Sequence, residues 1–193
     1  MQFGEAKKFI LGKLKTELPR HLSYHSVEHV KDVFNSCKEI AASEGVKGED
    51  LKLLLTAALF HDSGFLKGPK EHEKQSCNIA KKHLPDYGYT PEQIKKICGM
   101  IMATKVPQQP QNHLEEIICD ADLDYLGRED FFIIGDKLFA ELCMYGILST
   151  EDEWNMLQVR FLEAHRYFTK TAIKQRQKKK DKYLKLVKSK IGK

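Results

Sequence analysis

The feature that most constrains this chain is an apolar stretch that runs directly into a His-Asp pair. Residues 51–60 read LKLLLTAALF and are apolar at all positions except Lys and Thr, so a helix formed by them has no wet face. His61 and Asp62 follow at once, and Ser63 and Gly64 end the segment. Burying histidine and aspartate is costly unless they are paired. The stretch therefore predicts a buried central helix that ends either in metal ligands or in a satisfied interior histidine beside an aspartate.

Size and composition predict a single globular domain. The chain has 193 residues, 41% of them hydrophobic and 31% charged, which is enough to bury a substantial core. The longest apolar run is too short to cross a membrane, and the first residues lack a signal pattern. Five cysteines are widely scattered without a CxxC pair, which argues against a disulfide framework or a zinc knuckle. We therefore predict a reducing, cytoplasmic location.

Positive charge is concentrated at the carboxyl end of the chain. Residues 170–193 contain ten Lys, one Arg and one Asp, whereas residues 1–169 are mildly acidic. Apolar residues at helical spacing, including Tyr183 and Val187, favour a basic C-terminal helix or tail packed on a domain that spans residues 1–169. The alternative is that the tail attracts RNA, DNA or an anionic membrane. We favour packing, because nucleic-acid modules interleave several aromatic residues for stacking and this tail has one.

Helical periodicity and helix-end signals recur along the whole chain. We find no sustained alternation of apolar and polar residues, no Asn-Gly hairpin and no repeat. Pro and Gly residues end several segments, and Ser26 is a good N-cap for the second one. The sequence predicts an all-α fold, a single compact multi-helix bundle, with helices near residues 2–18, 27–44, 49–60, 71–84, 91–105, 112–127, 131–146, 150–165 and 169–191.

Metal-capable residues recur upstream and downstream of the His-Asp pair. Two histidines lie four residues apart at the start of the second helix, and two more lie eleven apart and share a helix face. Three acids alternate in an otherwise apolar element. Together with the His-Asp pair, these groups supply two imidazoles and two carboxylates, from His29, His61, Asp62 and an acid at 120 or 122. This set suits one or two divalent ions such as Mn²⁺, Fe²⁺, Co²⁺, Ni²⁺, Zn²⁺ or Mg²⁺, with positions left for water. The groups are His25 and His29; His72 and His83; and Asp120, Asp122 and Asp124.

The ordered motifs resemble those of the HD superfamily of metal-dependent phosphohydrolases. The motifs are YHSVEHVKDV, the apolar helix ending in HDSG, and DADLDYLG, and the resemblance covers roughly residues 20–165. It implies an all-helical core that binds the metal through His29, His61, Asp62 and Asp122. Asp122 stands in the Ala-Asp-Leu context that is usual for the last aspartate in this family, and Asp120 is the alternative ligand or a nearby acceptor. We expect Asp124 to be a surface acid or a hydrogen-bond partner within its helix.

The resemblance implies an enzyme that hydrolyses a phosphoester, of a nucleotide or related small molecule, by a metal-bound hydroxide. Whether the substrate is a phosphomonoester or a phosphodiester stays open. Asp62 is implied to orient the attacking water in addition to its ligand role. Cyclic-nucleotide phosphodiesterases of this superfamily carry a general-acid histidine four residues before the first ligand, which places His25 in that role. Ser26 replaces the asparagine of that motif, so His25 is alternatively a residue that orients Tyr24 or caps the helix.

Further residues have weaker assignments. His72 stands where two-metal relatives carry an added histidine, with a solvated first helical turn as the alternative. Lys105 and Arg128 are candidates to bind the substrate phosphate, and Lys105 is also a candidate to stabilise the leaving group. The alternative for both residues is an ordinary surface position. A second enzyme class, a di-iron HD-type oxygenase, requires extra histidines, for which His72, His83 and the more remote His113 are available. A homodimer stays open.

Overall fold

A computed structural model of the protein describes residues 1–191 and contains α-helices, short 3-10 turns and loops. The described residues contain no strand, which confirms the predicted all-α fold. Residues 192 and 193, the end of the predicted basic tail, lie outside the described residues. No helix within residues 1–191 is long and apolar enough to cross a membrane. The helices are α1 (Phe3–Glu17), α2 (Val27–Ser43), α3 (Gly48–Phe60), α4 (His72–His83), α5 (Pro91–Ala103), α6 (His113–Asp122), α7 (Phe131–Met144), α8 (Glu151–Ala164) and α9 (Lys170–Lys188).

Helix α3 is the centre of the larger hydrophobic core. All its side chains from Leu53 to Phe60 are buried, and α1, α2, α4, α5 and α6 pack around it. Each fully buried Leu or Phe side chain contributes roughly 1.5–3 kcal/mol relative to an exposed one. The predicted buried central helix is therefore confirmed, and it delivers His61 and Asp62 to the interior of the protein, where they are 1% and 5% exposed.

The predicted sixth helix is shorter than expected. The prediction carried it to residue 127, but α6 ends at Asp122, because Leu123 leaves the helical region with φ −111° and ψ 20°. A 3-10 turn, Asp124–Gly127, follows and directs Asp124 inward, where it is 3% exposed. The expectation that Asp124 is a surface acid or a partner within its own helix is thus wrong.

Asp124 attaches α9 to the body of the protein. Its carboxylate accepts hydrogen bonds from Arg176 Nε (2.7 Å) and Nη2 (3.1 Å) on α9, and from Ser36 Oγ (3.3 Å) on α2. Gly127 permits this close approach, since a Cβ there would lie 2.5 Å from Arg176 Cβ. A bidentate arginine–carboxylate pair is among the stronger polar contacts in proteins.

The two faces of α9 have different environments. On the inner face Tyr183 and Val187 are buried, and the Tyr183 ring stacks on Phe131 with centroids 4.6 Å apart. The C-terminal helix is therefore packed on the body, as favoured above. The outer face presents exposed lysines, and its attraction for nucleic acid or an anionic surface stays a prediction. These are Lys170, Lys174, Lys178, Lys182 and Lys185.

We expect Asp124→Ala to lower the free energy of unfolding by about 3 kcal/mol, because it leaves the Arg176 guanidinium without its buried partner. Chemical denaturation followed by circular dichroism measures this change. The control Glu17→Gln removes an exposed pair with Lys13 and should cost less than about 1 kcal/mol. Equal effects of the two substitutions would contradict the role given to Asp124.

Candidate metal centre

Two histidines and two aspartates from three helices converge at the carboxyl end of α3. His29 Nε2 lies 3.3 Å from His61 Nε2 and 3.2 Å from Asp122 Oδ1. Asp62 Oδ2 lies 3.4 Å from His29 Nε2 and 3.2 Å from His61 Nε2. Single donor atoms of His29, His61 and Asp122 all fall within 4.8 Å of one another. The structure thus brings together the four residues for which the sequence predicted ligand roles.

The local sequence explains how the ligand-bearing helices begin and end. Ser26 caps α2, accepting a hydrogen bond from the N–H of His29 (3.3 Å), as expected for an N-cap. Beyond α3, Ser76 Oγ accepts from the N–H of Gly64 (2.7 Å) and donates to the carbonyl of His61. A Cβ on Gly64 would lie only 1.9 Å from the carbonyl oxygen of His72. Gly64 is therefore required for α4 to pack against the end of α3.

The ring of His61 is oriented by the backbone. Its Nδ1 donates to the carbonyl oxygen of Ala58 (2.8 Å), one turn earlier on α3. This bond places the other ring nitrogen, Nε2, toward His29 and the carboxylates. Metal-binding histidines commonly have one ring nitrogen fixed in this way, which selects the tautomer and the ring orientation.

Charges within the cluster stabilise one another. Burial disfavours a charged imidazole, but the adjacent carboxylates of Asp122 and Asp62 outweigh it and raise the pKa of His29 to about 9. The pKa of His61 is likewise raised, against burial, by the charge of Asp62. Burial opposes the ionised carboxylates, yet the histidines lower the pKa of Asp62 and bring that of Asp122 to about 2. At neutral pH both carboxylates are therefore charged.

The donor set fits a divalent cation. Asp62 Oδ2 is buried and has no hydrogen bond of acceptable geometry to any described residue, although buried carboxylate oxygens are normally satisfied. Two imidazole nitrogens also face each other at 3.3 Å, where at most one of them can carry a proton toward the other. A cation held by His29, His61, Asp62 and Asp122 satisfies all of these atoms. Nitrogen and oxygen donors without thiolate suit Mn²⁺, Fe²⁺, Co²⁺, Ni²⁺ or Zn²⁺.

Asp120 lies apart from this cluster. Both of its carboxylate oxygens accept backbone hydrogen bonds, from the N–H of Phe168 (2.9 Å) and from the N–H of Thr169 (2.7 Å). Burial raises the pKa of Asp120 to about 6, and the bonds from Thr169 and Phe168 oppose that rise. The geometry therefore gives Asp120 the task of fixing the segment before α9, and it does not support the alternative prediction of a ligand or a nearby acceptor.

His25 is held by an acid that the sequence analysis missed. Its Nδ1 pairs with Glu141 Oε1, and the N–H groups of Tyr24 and His25 donate to Glu141 Oε2 at 2.9 and 3.1 Å. The ring of His25 stacks on Phe65 with centroids 3.9 Å apart. Burial opposes ionisation of Glu141, but the bond from His25 lowers its pKa overall. Helical spacing from Leu138 puts Glu141 on the inner face of α7, and this was the signal available in the sequence.

His72 borders the cluster without joining it. Its Nε2 lies 3.6 Å from Asp62 Oδ1 and 3.5 Å from Glu73 Oε1. Glu73 is 7% exposed, which is uncommon for glutamate. Asp62 thus faces His29 and His61 with one oxygen and His72 with the other, so a role for His72 toward a second ion stays a prediction.

The two predicted phosphate-binding residues have different surroundings. Lys105 is exposed and lines a cavity of about 440 Å³ that also contains His25, His29, Asp62 and Asp122. Arg128 lies outside this cavity and pairs with Asp32 (2.9 Å), Asp130 (2.7 Å) and Asp124 (3.5 Å). Its guanidinium is occupied by these carboxylates, so the prediction that Arg128 binds phosphate is not supported by the geometry.

Two of the three histidines proposed as extra iron ligands are remote from the cluster, and His72 alone borders it. His83 packs on the Phe9 ring with centroids 4.7 Å apart, at the far end of α4. His113 is half exposed and pairs with Glu44 (3.6 Å) and Glu116 (3.1 Å). Neither of them lines the cavity. The structure therefore provides no observation that favours the oxygenase alternative.

We expect the metal-free protein to lose stability as the pH rises from 6.5 through about 9. The fold raises the pKa of His29, so the stabilisation from its proton is complete below about pH 6.5 and disappears above the folded pKa. A bound cation replaces the proton and removes this dependence. Circular dichroism melts in EDTA should show Tm falling by at least about 3 °C across this range.

Melts of the same protein with saturating Mn²⁺ should show a much flatter dependence on pH. The matched control His113→Gln changes an exposed histidine and should keep the wild-type profile in both conditions. A Tm in EDTA that stays constant between pH 6.5 and 9 would contradict the charge assignment of the cluster.

Comparisons with known proteins agree with this geometry. Residues 26–124 match the HD domain family. No protein with a curated description matches the sequence. A predicted HD superfamily hydrolase from an uncultured Thermotogales bacterium has a similar solved structure, with TM-score 0.64 and 19% identity, over 94% of this chain and 89% of that one.

Two further solved structures share the fold. Bacillus subtilis YpgQ, determined in complex with ADP, has TM-score 0.66 and 16% identity over 99% of this chain and 98% of its own. A protein from Lactobacillus plantarum has TM-score 0.67 and 17% identity over 98% and 96% of the two chains. At these identities the likeness shows the fold alone. The family match, by contrast, spans just over half of the chain and includes all four clustered residues, so this chain belongs to the HD domain family.

Proposed function

We propose that the protein is a metal-dependent hydrolase that cleaves a phosphoester, with a nucleotide as the favoured substrate class. The observation that carries the proposal is the buried set of His29, His61, Asp62 and Asp122, whose facing nitrogens and unsatisfied Asp62 oxygen call for a cation. When bound there, a divalent ion supplies a water of lowered pKa and positive charge against the phosphate. Membership of the HD domain family and the cavity beside the cluster support the same reading.

The favoured substrate class has separate support. YpgQ, a structural neighbour, was determined with ADP, a nucleoside diphosphate. A cavity of about 440 Å³ is within the usual range for small-molecule sites and exceeds what a phosphate group alone requires. Lys105 at its border offers a positive charge that a phosphate can meet.

His25 is the proposed proton donor to the leaving oxygen. Glu141 and Phe65 fix its ring, and because Glu141 occupies Nδ1, the nitrogen left for proton exchange with a bound substrate is Nε2. Glu141 thereby holds the ring in the fixed position that a general acid needs. Asp62 is proposed to orient the attacking water in addition to holding the ion.

The decisive test combines metal content with phosphate release. We expect the purified protein to bind a divalent ion. It should also release phosphate or a nucleoside from at least one member of a panel of nucleotides and p-nitrophenyl phosphoesters, and this reaction should not require oxygen. His61→Ala and Asp62→Ala should lower metal affinity by at least about 100-fold, because each removes a ligand atom. Asp120→Asn, which keeps an acceptor for Phe168 or Thr169, should retain the wild-type affinity.

Two outcomes would overturn the proposal. One is a wild-type protein that binds no divalent ion; the other is full activity in both His61→Ala and Asp62→Ala. Circular dichroism of each variant separates loss of the site from loss of the fold. A product whose formation requires oxygen would favour the oxygenase class instead.

We expect Glu141→Gln to lower kcat by about 10- to 100-fold with little change in KM, because His25 loses the carboxylate that holds its ring in position. Combining Glu141→Gln with His25→Ala should cost no more than His25→Ala alone. The control Glu116→Gln alters the exposed His113 pair and should leave kcat unchanged. Additive losses in the double variant would contradict a role through His25.

A further inference from the structure

The cavity extends beyond the metal centre into an apolar region between α7 and α8. One part of its lining is polar and contains His29, Asp62 and Asp122 of the cluster, with Thr104 and Lys105. The other part comes from the turn 124–127, α7 and α8, and it is built almost entirely from aromatic and aliphatic side chains. These are Tyr125, Leu126, Phe131, Leu138, Trp154, Leu157, Phe161 and Leu162. No contact with the metal centre or with a phosphate requires such a wall, so it is available to another part of the substrate.

Gln158 is the one polar side chain that α7 and α8 place in this wall. The residue is 8% exposed, and its amide forms no hydrogen bond with any residue between 1 and 191. Gly135 of α7 makes room for it, since a Cβ there would lie 3.3 Å from Gln158 Nε2. Asp62 Oδ2 and His165 Nε2 are the fully buried side-chain atoms without a partner among residues 1–191, so the Gln158 amide instead reaches the cavity. A group bound in the cavity can therefore pair with this amide, and that pairing stabilises the bound group.

The chemistry of an amide defines what that group must offer. Glutamine presents a donor and an acceptor side by side in one plane. A flat heteroaromatic ring with an adjacent acceptor and donor on its edge satisfies both atoms, while its faces pack against aromatic side chains such as Trp154 and Phe131. An alkyl chain fills the same apolar wall but leaves the amide unpaired.

We propose that this region is a subsite for a nucleobase-like heteroaromatic ring and that Gln158 determines which ring is accepted. This inference rests on the proposed phosphoester hydrolase function, for which it specifies the group attached to the phosphate. The ring lies against α7 and α8, and the phosphate lies toward Lys105 and the metal centre.

Fluorescence of Trp154 tests the subsite directly, because it is the only tryptophan in the chain and lines the cavity. The full chain with Mn²⁺ is titrated with AMP, GMP, CMP and UMP, and with ribose 5-phosphate, which has the sugar and phosphate but no base. We expect at least one nucleotide to quench Trp154 and to bind about tenfold or more tightly than ribose 5-phosphate.

Variants of Gln158 identify the residue responsible. Gln158→Leu should weaken binding of the preferred nucleotide about tenfold, as expected for the loss of one hydrogen-bonded pair. Its affinity for ribose 5-phosphate should stay unchanged. Gln158→Glu keeps the size of the side chain, but its carboxylate only accepts hydrogen bonds. This substitution should therefore change the order in which the four nucleotides rank by affinity. The matched control Gln175→Leu lies on the exposed face of α9 and should bind as wild type. Circular dichroism verifies the fold of each variant.

Three outcomes would overturn the inference. The first is that all four nucleotides bind no better than ribose 5-phosphate, and the second is that octyl phosphate binds better than every nucleotide. The third is that folded Gln158→Leu and Gln158→Glu both keep the wild-type preference among the nucleotides. Hydrolysis of p-nitrophenyl phosphate and bis(p-nitrophenyl) phosphate is measured in parallel. Hydrolysis without base preference overturns the subsite alone. A base preference that depends on Gln158 without hydrolysis of any phosphoester upholds the subsite and overturns the proposed reaction.

Discussion

Two carboxylates and two imidazoles share one small volume at the carboxyl end of the most buried helix, and the rest of the structure must tolerate their charge. An ionised carboxylate in this setting is unstable unless it is paired. The raised pKa of His29 and the lowered pKa of Asp122 show that each group is kept charged by its opposite. The apolar packing of α3 is therefore inseparable from the cluster, because the helix at the centre of the larger core leads directly into two of its four members.

The three alternating acids at the end of α6 divide this task among themselves. Asp120 accepts from the backbone before α9, and Asp124 accepts from Arg176 within α9. Asp122, between them, faces His29 and His61. The two outer aspartates thereby fix the end of α6 from the side of α9 and leave the middle one free to face the interior. The basic C-terminal helix is consequently part of the support of the candidate metal centre and not only a carrier of surface lysines.

The sequence predicted those parts of the structure that depend on short-range pattern. The apolar stretch before His61, the Ser26 cap and the order of the metal-capable groups needed only spacing and residue type. The end of α6 at Leu123, the pairing of Arg128 with Asp32 and the attachment of Asp124 to Arg176 depend on contacts between distant parts of the chain. Glu141, which the sequence analysis missed, is 116 residues from His25, and periodicity along α7 carries no information about which distant side chain it meets.

Helix α7 connects the proposed chemistry to the proposed specificity. Its inner face supplies Glu141 to His25, and its earlier turns supply Phe131 and Leu138 to the apolar wall and Gly135 to the space around Gln158. Ser23 Oγ also donates to the carbonyl of Lys137 (2.7 Å), which ties α7 to the connector that carries His25. A group that enters the proposed subsite would contact the same helix that holds His25, the proposed proton donor. The two proposals together predict that fit in the subsite and the orientation of His25 are coupled through α7.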